Sequence, residues 1–238
     1  VTLTGPMESE GTSATLANGG EGGDTDVTLN FSQTATVDGY SNIANFISEG
    51  AVNLSGNFTT TGFQKYEGNV ALGGNTELVA TTVEFTDGVT GNYRNLTLSP
   101  SDSFIKLDGI QLSGVETLTI DGDLSLSGNL SAGDISIQGN TTLIGDADLT
   151  SEIVSCLSSR QINLGGTVDG AHALTVNGTT KFKGEIGGTL PLTSLTTEGG
   201  ESSPYFCTTL GANVTTTGDQ IFGTPVTILS DTTFKGGN

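Results

Sequence analysis

The sequence predicts an all-β chain folded as a parallel β-solenoid, and three observations carry that expectation. Short runs of three to five residues alternate apolar and polar side chains, and each stops at Gly, Asn-Gly, Asp-Gly or Gly-Asn. Alternation with period two puts Val, Leu and Ile on one face of a strand and Thr, Ser, Asn and Asp on the other, and those dipeptides are turn signals. The chain also repeats itself internally, the mark of stacked architectures. Its apolar residues are mostly aliphatics of similar size, with 6% aromatics and no Trp. A two-sheet sandwich would need longer strands and bulky aromatic anchors.

The runs follow in order as VTLTG (1–5), VTLNF (27–31), AVNLSGN (51–57), NVALGG (69–74), LTLS (96–99), IKLDG (105–109) and IQLSG (110–114). Then come LTIDGDLSLSGNL (118–130), ISIQGN (135–140), INLGG (162–166) and LTVNG (174–178). No segment has helical spacing with caps. Coils of roughly 20–25 residues, as in known repeats of this kind, give about ten or eleven coils and a rod on the order of 50 Å long. Each Val, Leu or Ile would stack on its counterpart in the next coil. The 36 Gly fit corners where the backbone takes positive φ. The least regular part is expected at 7–50, with LANGGEGGDTD (16–26) as a protruding loop.

The repeat has two grains. Residues 57–82 and 213–238 share Asn, TTTG, Gln and an aromatic two places later, at an offset of 156. Residues 93–122 align with 171–200 at an offset of 78, so that Leu96 falls on Leu174, Phe104 on Phe182, Gly109 on Gly187 and Leu112 on Leu190. A shorter echo at 71 relates GNVALGGNTEL (68–78) to GNTTLIGDADL (139–149). The expectation is one domain, 1–238, of about three degenerate 78-residue units: roughly 1–82, 83–161 and 162–238. The copy at 213–238 stops where the earlier copy continues as VEFTDG (83–88), and VTLTGP (1–6) fits that continuation. The expected meaning is one period of a longer repeat protein, or a subunit whose end abuts the start of another copy, head-to-tail.

Composition bounds the function. Twenty-six acids against seven Lys and Arg give a formal charge of −19. That argues against nucleic-acid binding and against docking on anionic lipid, both of which need a basic surface. It suits a surface that resists self-association or collects cations. No apolar run is long enough to cross a membrane as a helix. Cys156 and Cys207 stand 51 residues apart, about two coils. One disulfide and two buried free thiols are both open readings, because sequence does not show that they meet.

Catalytic signals are thin. His172, the single histidine, sits beside a turn in GAHAL without a nucleophile motif, and a solvent-facing turn residue is expected. Carboxylates at i, i+2 occur at Glu8/Glu10, Asp24/Asp26, Asp121/Asp123 and Asp146/Asp148. Such a pair shares one strand face and could bind Ca²⁺ or act as a glycosidase couple, with Asp121, Asp123, Asp146 and Asp148 the Ca²⁺ candidates. The cations nearest the acids, Lys65, Arg94 and Lys106, do not converge in sequence, so a solvated acidic face is preferred, with no catalytic residue and no cofactor. Asn30, Asn53, Asn57, Asn95, Asn129, Asn140, Asn177 and Asn213 begin Asn-x-Ser/Thr sequons, glycan acceptors where the host modifies them. Thr59–Thr61 and Thr215–Thr217 raise a flat Thr array of the ice-binding kind, but the pattern recurs irregularly.

The segments 166–200 and 213–238 resemble the passenger repeats of filamentous-haemagglutinin-like exoproteins, large secreted proteins of Gram-negative bacteria. Residues 173–177, 179–182, 187–188, 191–192, 194–197 and 215–220 carry the likeness; it is good over the last third, loose over 57–125 and poor over 7–56. The resemblance implies a right-handed parallel β-helix, exported through a partner pore in the outer membrane, with adhesive or surface-filament roles outside the cell. The resulting expectation is a non-enzymatic extracellular structural or adhesive repeat. A carbohydrate-active β-helix enzyme is the alternative.

Overall fold

In a computed structural model the described residues are 2–4, 16–17, 27–30, 35–101, 104–151, 160–199 and 207–237. Among them there is no helix. Every paired strand is parallel to its neighbour, and the chain winds through three ladders as a β-solenoid. We call the faces A, B and C, in the order the chain visits them within a turn.

Face A is traced by Ala35, Val52, Val70, Val89, Leu112, Leu130, Leu149, Val176, Thr197 and Phe222, each paired with the next. Face B is traced by Phe58, Leu78, Leu98, Ile120, Ile137, Leu164, Phe182, Leu210 and Ile228. Face C runs through Phe46–Ser48, Phe63–Tyr66, Thr82–Phe85, Phe104–Asp108 and Asp123, then through Thr141, Val168, Ile186, Val214 and Phe234. The steps on face A are 17, 18, 19, 23, 18, 19, 27, 21 and 25 residues, or about nine turns. Two earlier rungs on face C, Thr2–Thr4 on Val27–Asn30 and that strand on Phe46–Ser48, bring that face to eleven steps, in line with the ten or eleven coils expected, but turn lengths spread more widely. The longest steps hold the stretches 152–159 and 200–206, which lie outside the described residues. At about 4.8 Å per turn the nine steps from Ala35 onward span roughly 43 Å.

The alternation read from sequence is the burial pattern. Along Val52–Thr60 and Val70–Ala80 every second residue within each face is buried. Leu54, Leu72, Leu78, Leu98, Leu107 and Ile137 are closed off because a coil lies on each side. The interior is more aromatic than expected in one place. Phe46, Tyr66 and Phe85 line up inside face C, with ring centroids 5.6 Å and then 5.3 Å apart.

Corners follow the glycines. Gly128 has φ +82°, and a Cβ there would meet the Cα of Gly109 at 2.9 Å, so successive turns stack glycine on glycine at this edge. Expected irregularity at 7–50 is only partly met. Ala35–Val37, Tyr40–Ile43 and Phe46–Ser48 are ordinary rungs, and Leu16–Ala17, assigned above to a loop, is a strand paired with Tyr40 and Ser41. The rest of that loop, 18–26, lies outside the described residues.

The long sequence echo is not a whole number of turns. Leu96 lies on face B, paired with Leu118, whereas its match Leu174 lies on face A, paired with Ala147 and Leu195. Seventy-eight residues span three turns and two further faces. What recurs is therefore local geometry, placed on different sides of the prism.

Candidate functional site

The repeated TTTG-x-Gln segment proves to be a corner. In its first copy Gln64 is fully buried, and its Nε2 donates to the carbonyls of Phe58, six residues back, and Val79, fifteen ahead, at 2.9 and 3.0 Å. In the second copy Gln220 Nε2 donates to Val214, again six back, and Lys235, again fifteen ahead, at 3.5 and 2.7 Å. The Thr60 and Thr216 hydroxyls each donate to a glycine carbonyl two residues on, Gly62 and Gly218. The first copy turns from face B to face C and the second from face C to face A. One amide staples its own turn to the next, whichever edge it occupies.

The carboxylates named as metal candidates are spent on the same task. Asp123 Oδ1 accepts the Asn140 N–H at 2.7 Å, and Asp146 Oδ1 accepts the Ala173 N–H at 2.9 Å. Asp148 accepts from the Asn177 amide at 2.9 Å, and Asp121 from the Ser99 hydroxyl at 3.4 Å. Asp134 and Asp169 hold the N–H groups of Gln161, Thr189 and Leu190 likewise. An Asx side chain reaching one coil onward is thus the common corner device, and among the described residues no three metal-ligating side chains gather. Glu8, Glu10, Asp24 and Asp26 lie outside the described residues.

The remaining nominated residues scatter. His172 is half-buried beside its turn, with Nδ1 3.9 Å from Asp146 Oδ1. Cys207 stands half-buried before Thr208–Leu210, and Cys156 lies outside the described residues. Of the sequons, Asn57, Asn95 and Asn129 are exposed. Asn140, Asn177 and Asn213 bond across coils, and the Asn53 Oδ1 is buried without a partner. The Asn30 backbone pairs with Thr4. Lys65 bonds to Glu67, which raises its pKa, and lies between coils beside Glu84. Lys106 pairs with Asp108, while Arg94 is exposed on another corner.

The last coil, whose end is expected from the sequence to abut another copy, differs from the coils before it. One turn earlier, the inward residues Thr197, Thr208, Leu210 and Val214 are all fully buried. Their partners in the last turn are Phe222, Val226, Ile228 and Phe234. Val226 is 38% exposed, Ile228 52% and Phe234 43%, with Phe222 half-buried. Leu229 adds another 60% exposed side chain at the same end. Phe222 and Phe234 meet edge-to-face, centroids 5.7 Å apart, and close part of the core. Among the described residues, the strands of this turn have a partner on one edge only. The sequence pointed to an open end at 213–238 but not to which side chains it leaves uncovered, because a terminal coil carries the same alternation as an internal one. The arrangement presents backbone N–H and C=O groups at a strand edge and apolar side chains beside them, a geometry that a further parallel coil would fit.

No family model matches the chain, and no curated protein or solved structure is significantly similar to it.

Proposed function

We propose that this chain is a non-enzymatic structural and adhesive repeat of the cell exterior, a length of rod that extends by coil-on-coil stacking. The observation carrying the reading is the last coil, whose inward Val226, Ile228 and Phe234 are exposed where every preceding turn covers them. An open strand edge over an apolar core is an aggregation liability unless something pairs with it. The occupant is a further parallel coil, from a second copy head-to-tail or from a tandem copy in a longer chain. Because all strands run in one direction, the contact is heterologous and grows a linear fibre rather than a closed dimer.

The acid excess fits the same picture. A net charge of −19 opposes lateral association of rods, while the last coil carries little net charge, with Asp219 and Asp231 against Lys235. The resemblance to filamentous-haemagglutinin-like passenger repeats supplies the proposed setting: export through an outer-membrane pore, then display at the surface. Against a carbohydrate-active enzyme stands the use of Asp123, Asp146 and Asp148 as intercoil hydrogen-bond acceptors.

Sedimentation velocity and electron microscopy over a concentration series test the reading. The chain should form fibres one coil-stack wide, with an axial repeat near the rod length. Ile228→Glu should leave it monomeric with an unchanged far-ultraviolet spectrum. A chain that stays monomeric at the highest concentrations, or fibres unaffected by Ile228→Glu, would refute stacking. Release of defined oligosaccharides from neutral or acidic polysaccharides would overturn the non-enzymatic assignment.

A further inference from the structure

Among the sequons, the fold presents Asn95 unlike the rest. Asn95, Leu96 and Thr97 open the face B part of the strand Val89–Pro100. Leu96 is buried, so period-two alternation turns the Asn95 and Thr97 side chains outward together. Asn75 Oδ1 accepts the Asn95 backbone N–H at 3.1 Å, and among the described residues the Asn95 side-chain amide has no partner.

The corner that delivers Asn95 is irregular. From Thr90 to Leu96 the chain advances six residues, where the turns on either side take five, from Ala71 to Thr76 and from Ser113 to Leu118. Within it Asn92 and Tyr93 both take the left-handed region, at φ +49° and +58°. Two successive non-glycine residues there are uncommon, and such strain persists only where the surroundings fix it. Asn92 Nδ2 donates to the Leu72 carbonyl of the preceding turn at 3.1 Å. Tyr93 therefore stands out from the rod, 69% exposed, more than any other large apolar or aromatic side chain among the described residues. It lies two residues before Asn95, with the exposed Arg94 between them.

Asn57 and Asn129 are exposed too, but they pair in register with Glu77 and Asp148 of the next turn. Two residues before them stand Ser55 and Ser127 in place of an aromatic. Asn140, Asn177 and Asn213 spend their side chains on bonds across coils, and Asn53 lies against Gly73 of the next turn.

We infer that Asn95 is the preferred acceptor of an N-linked sugar on this chain, and that the first sugar, a neutral hexose, lies with its C–H face on the Tyr93 ring. An exposed aromatic ring offers an accessible apolar face beside a polar tip, and a ring held by its backbone before the sugar arrives loses little entropy when covered. Arg94 places a cation beside the acceptor on a chain of net charge −19, which otherwise repels the diphosphate of an activated sugar. In the transfer, Asn95 Nδ2 bonds to the sugar C1 as the C1–O bond to the diphosphate breaks. Asn95 gives up one amide proton and the diphosphate leaves; a host asparagine glycosyltransferase supplies the sugar diphosphate.

The test incubates the folded chain with a soluble asparagine glucosyltransferase and UDP-glucose and follows each sequon by peptide mass mapping. Isolated sequon peptides under the same conditions remove the enzyme's own preference. Relative to its peptide, Asn95 should be modified first, ahead of Asn57 and Asn129, with Asn140, Asn177 and Asn213 protected. In the glucosylated chain the glucose ring protons should move upfield in the Tyr93 ring current. Tyr93→Phe should keep that shift. Tyr93→Asn, which removes the ring but tolerates the left-handed backbone, should lose it. The inference is overturned by modification of Asn57 or Asn129 as fast as Asn95, by a folded chain left unmodified at Asn95 while its peptide reacts, or by a glucose shift unchanged in Tyr93→Asn. The corner lies several turns from the last coil, so this result stands whether or not the rods stack.

Discussion

Replacing Gln64 by Leu should cost far more than replacing Gln220 by Leu, although both residues occupy the same place in the same motif. Gln64 is fully buried, with two donated bonds at 2.9 and 3.0 Å and one accepted from the Tyr66 hydroxyl at 2.9 Å. Each such bond contributes about 1 kcal/mol net, and loss of a partner at a buried polar group costs roughly 1–3 kcal/mol more. Set against about 1–2 kcal/mol regained by burying an aliphatic side chain, Gln64→Leu should destabilise by roughly 2–4 kcal/mol. Gln220 is half-buried and bonds to Thr216 Oγ1 at 3.1 Å and Lys235 O at 2.7 Å, where water can take over. Its replacement should cost under about 1 kcal/mol. The assay is denaturant unfolding by circular dichroism with amide exchange in each corner, since a solenoid can open coil by coil. Adding Tyr66→Phe to Gln64→Leu should cost less than the two single losses summed, because each change alone already removes the bond between them. Equal losses at Gln64 and Gln220, or no coupling to Tyr66, would refute the staple.

Two further outcomes follow from corners. Gly128→Ala should destabilise by about 2–3 kcal/mol, since it combines a positive φ of 82° with a Cβ 2.9 Å from Gly109 Cα, whereas Gly145→Ala, at ordinary φ and facing a Ser127 side chain, should cost less. The Asp108 carboxyl is held below its ordinary value, first by the Ser127 hydroxyl and then by Lys106. A depressed folded-state pKa contributes stability above the unfolded value, lost as pH falls through the folded one, so unfolding midpoints should drop below about pH 4. Asp108→Asn should flatten that acid limb, and an unchanged limb would remove Asp108 as a cause.

Period-two alternation settled the strand assignment, and Gly-rich dipeptides settled the corners, because side-chain direction and positive φ are local properties. Parallel stacking followed from short strands of similar aliphatics: Leu78, Leu98, Ile120 and Ile137 were legible as interchangeable rungs, and they stack as such. The repeated Gln was legible as a motif. Its purpose was not, since the carbonyl it reaches belongs to the following turn. The hydrogen-bond partners of the i, i+2 carboxylates were hidden for the same reason. Asp146 and Asp148 share a strand, yet their partners Ala173 and Asn177 lie 27 and 29 residues away.

Sequence by itself determined that this chain is all-β, that it turns at glycine and that it repeats. Only the tertiary structure decided how many residues each turn takes, and therefore that a 78-residue echo lands on a different face. Coil length depends on where extra residues are tolerated, and that is a matter of which corners face solvent. It also decided which apolar residues are covered. Leu210 and Ile228 belong to equivalent alternating runs, and one is sealed while the other is half-exposed. Burial in a solenoid is conferred by the next coil, a neighbour far along the chain or outside it, and no local pattern records its presence.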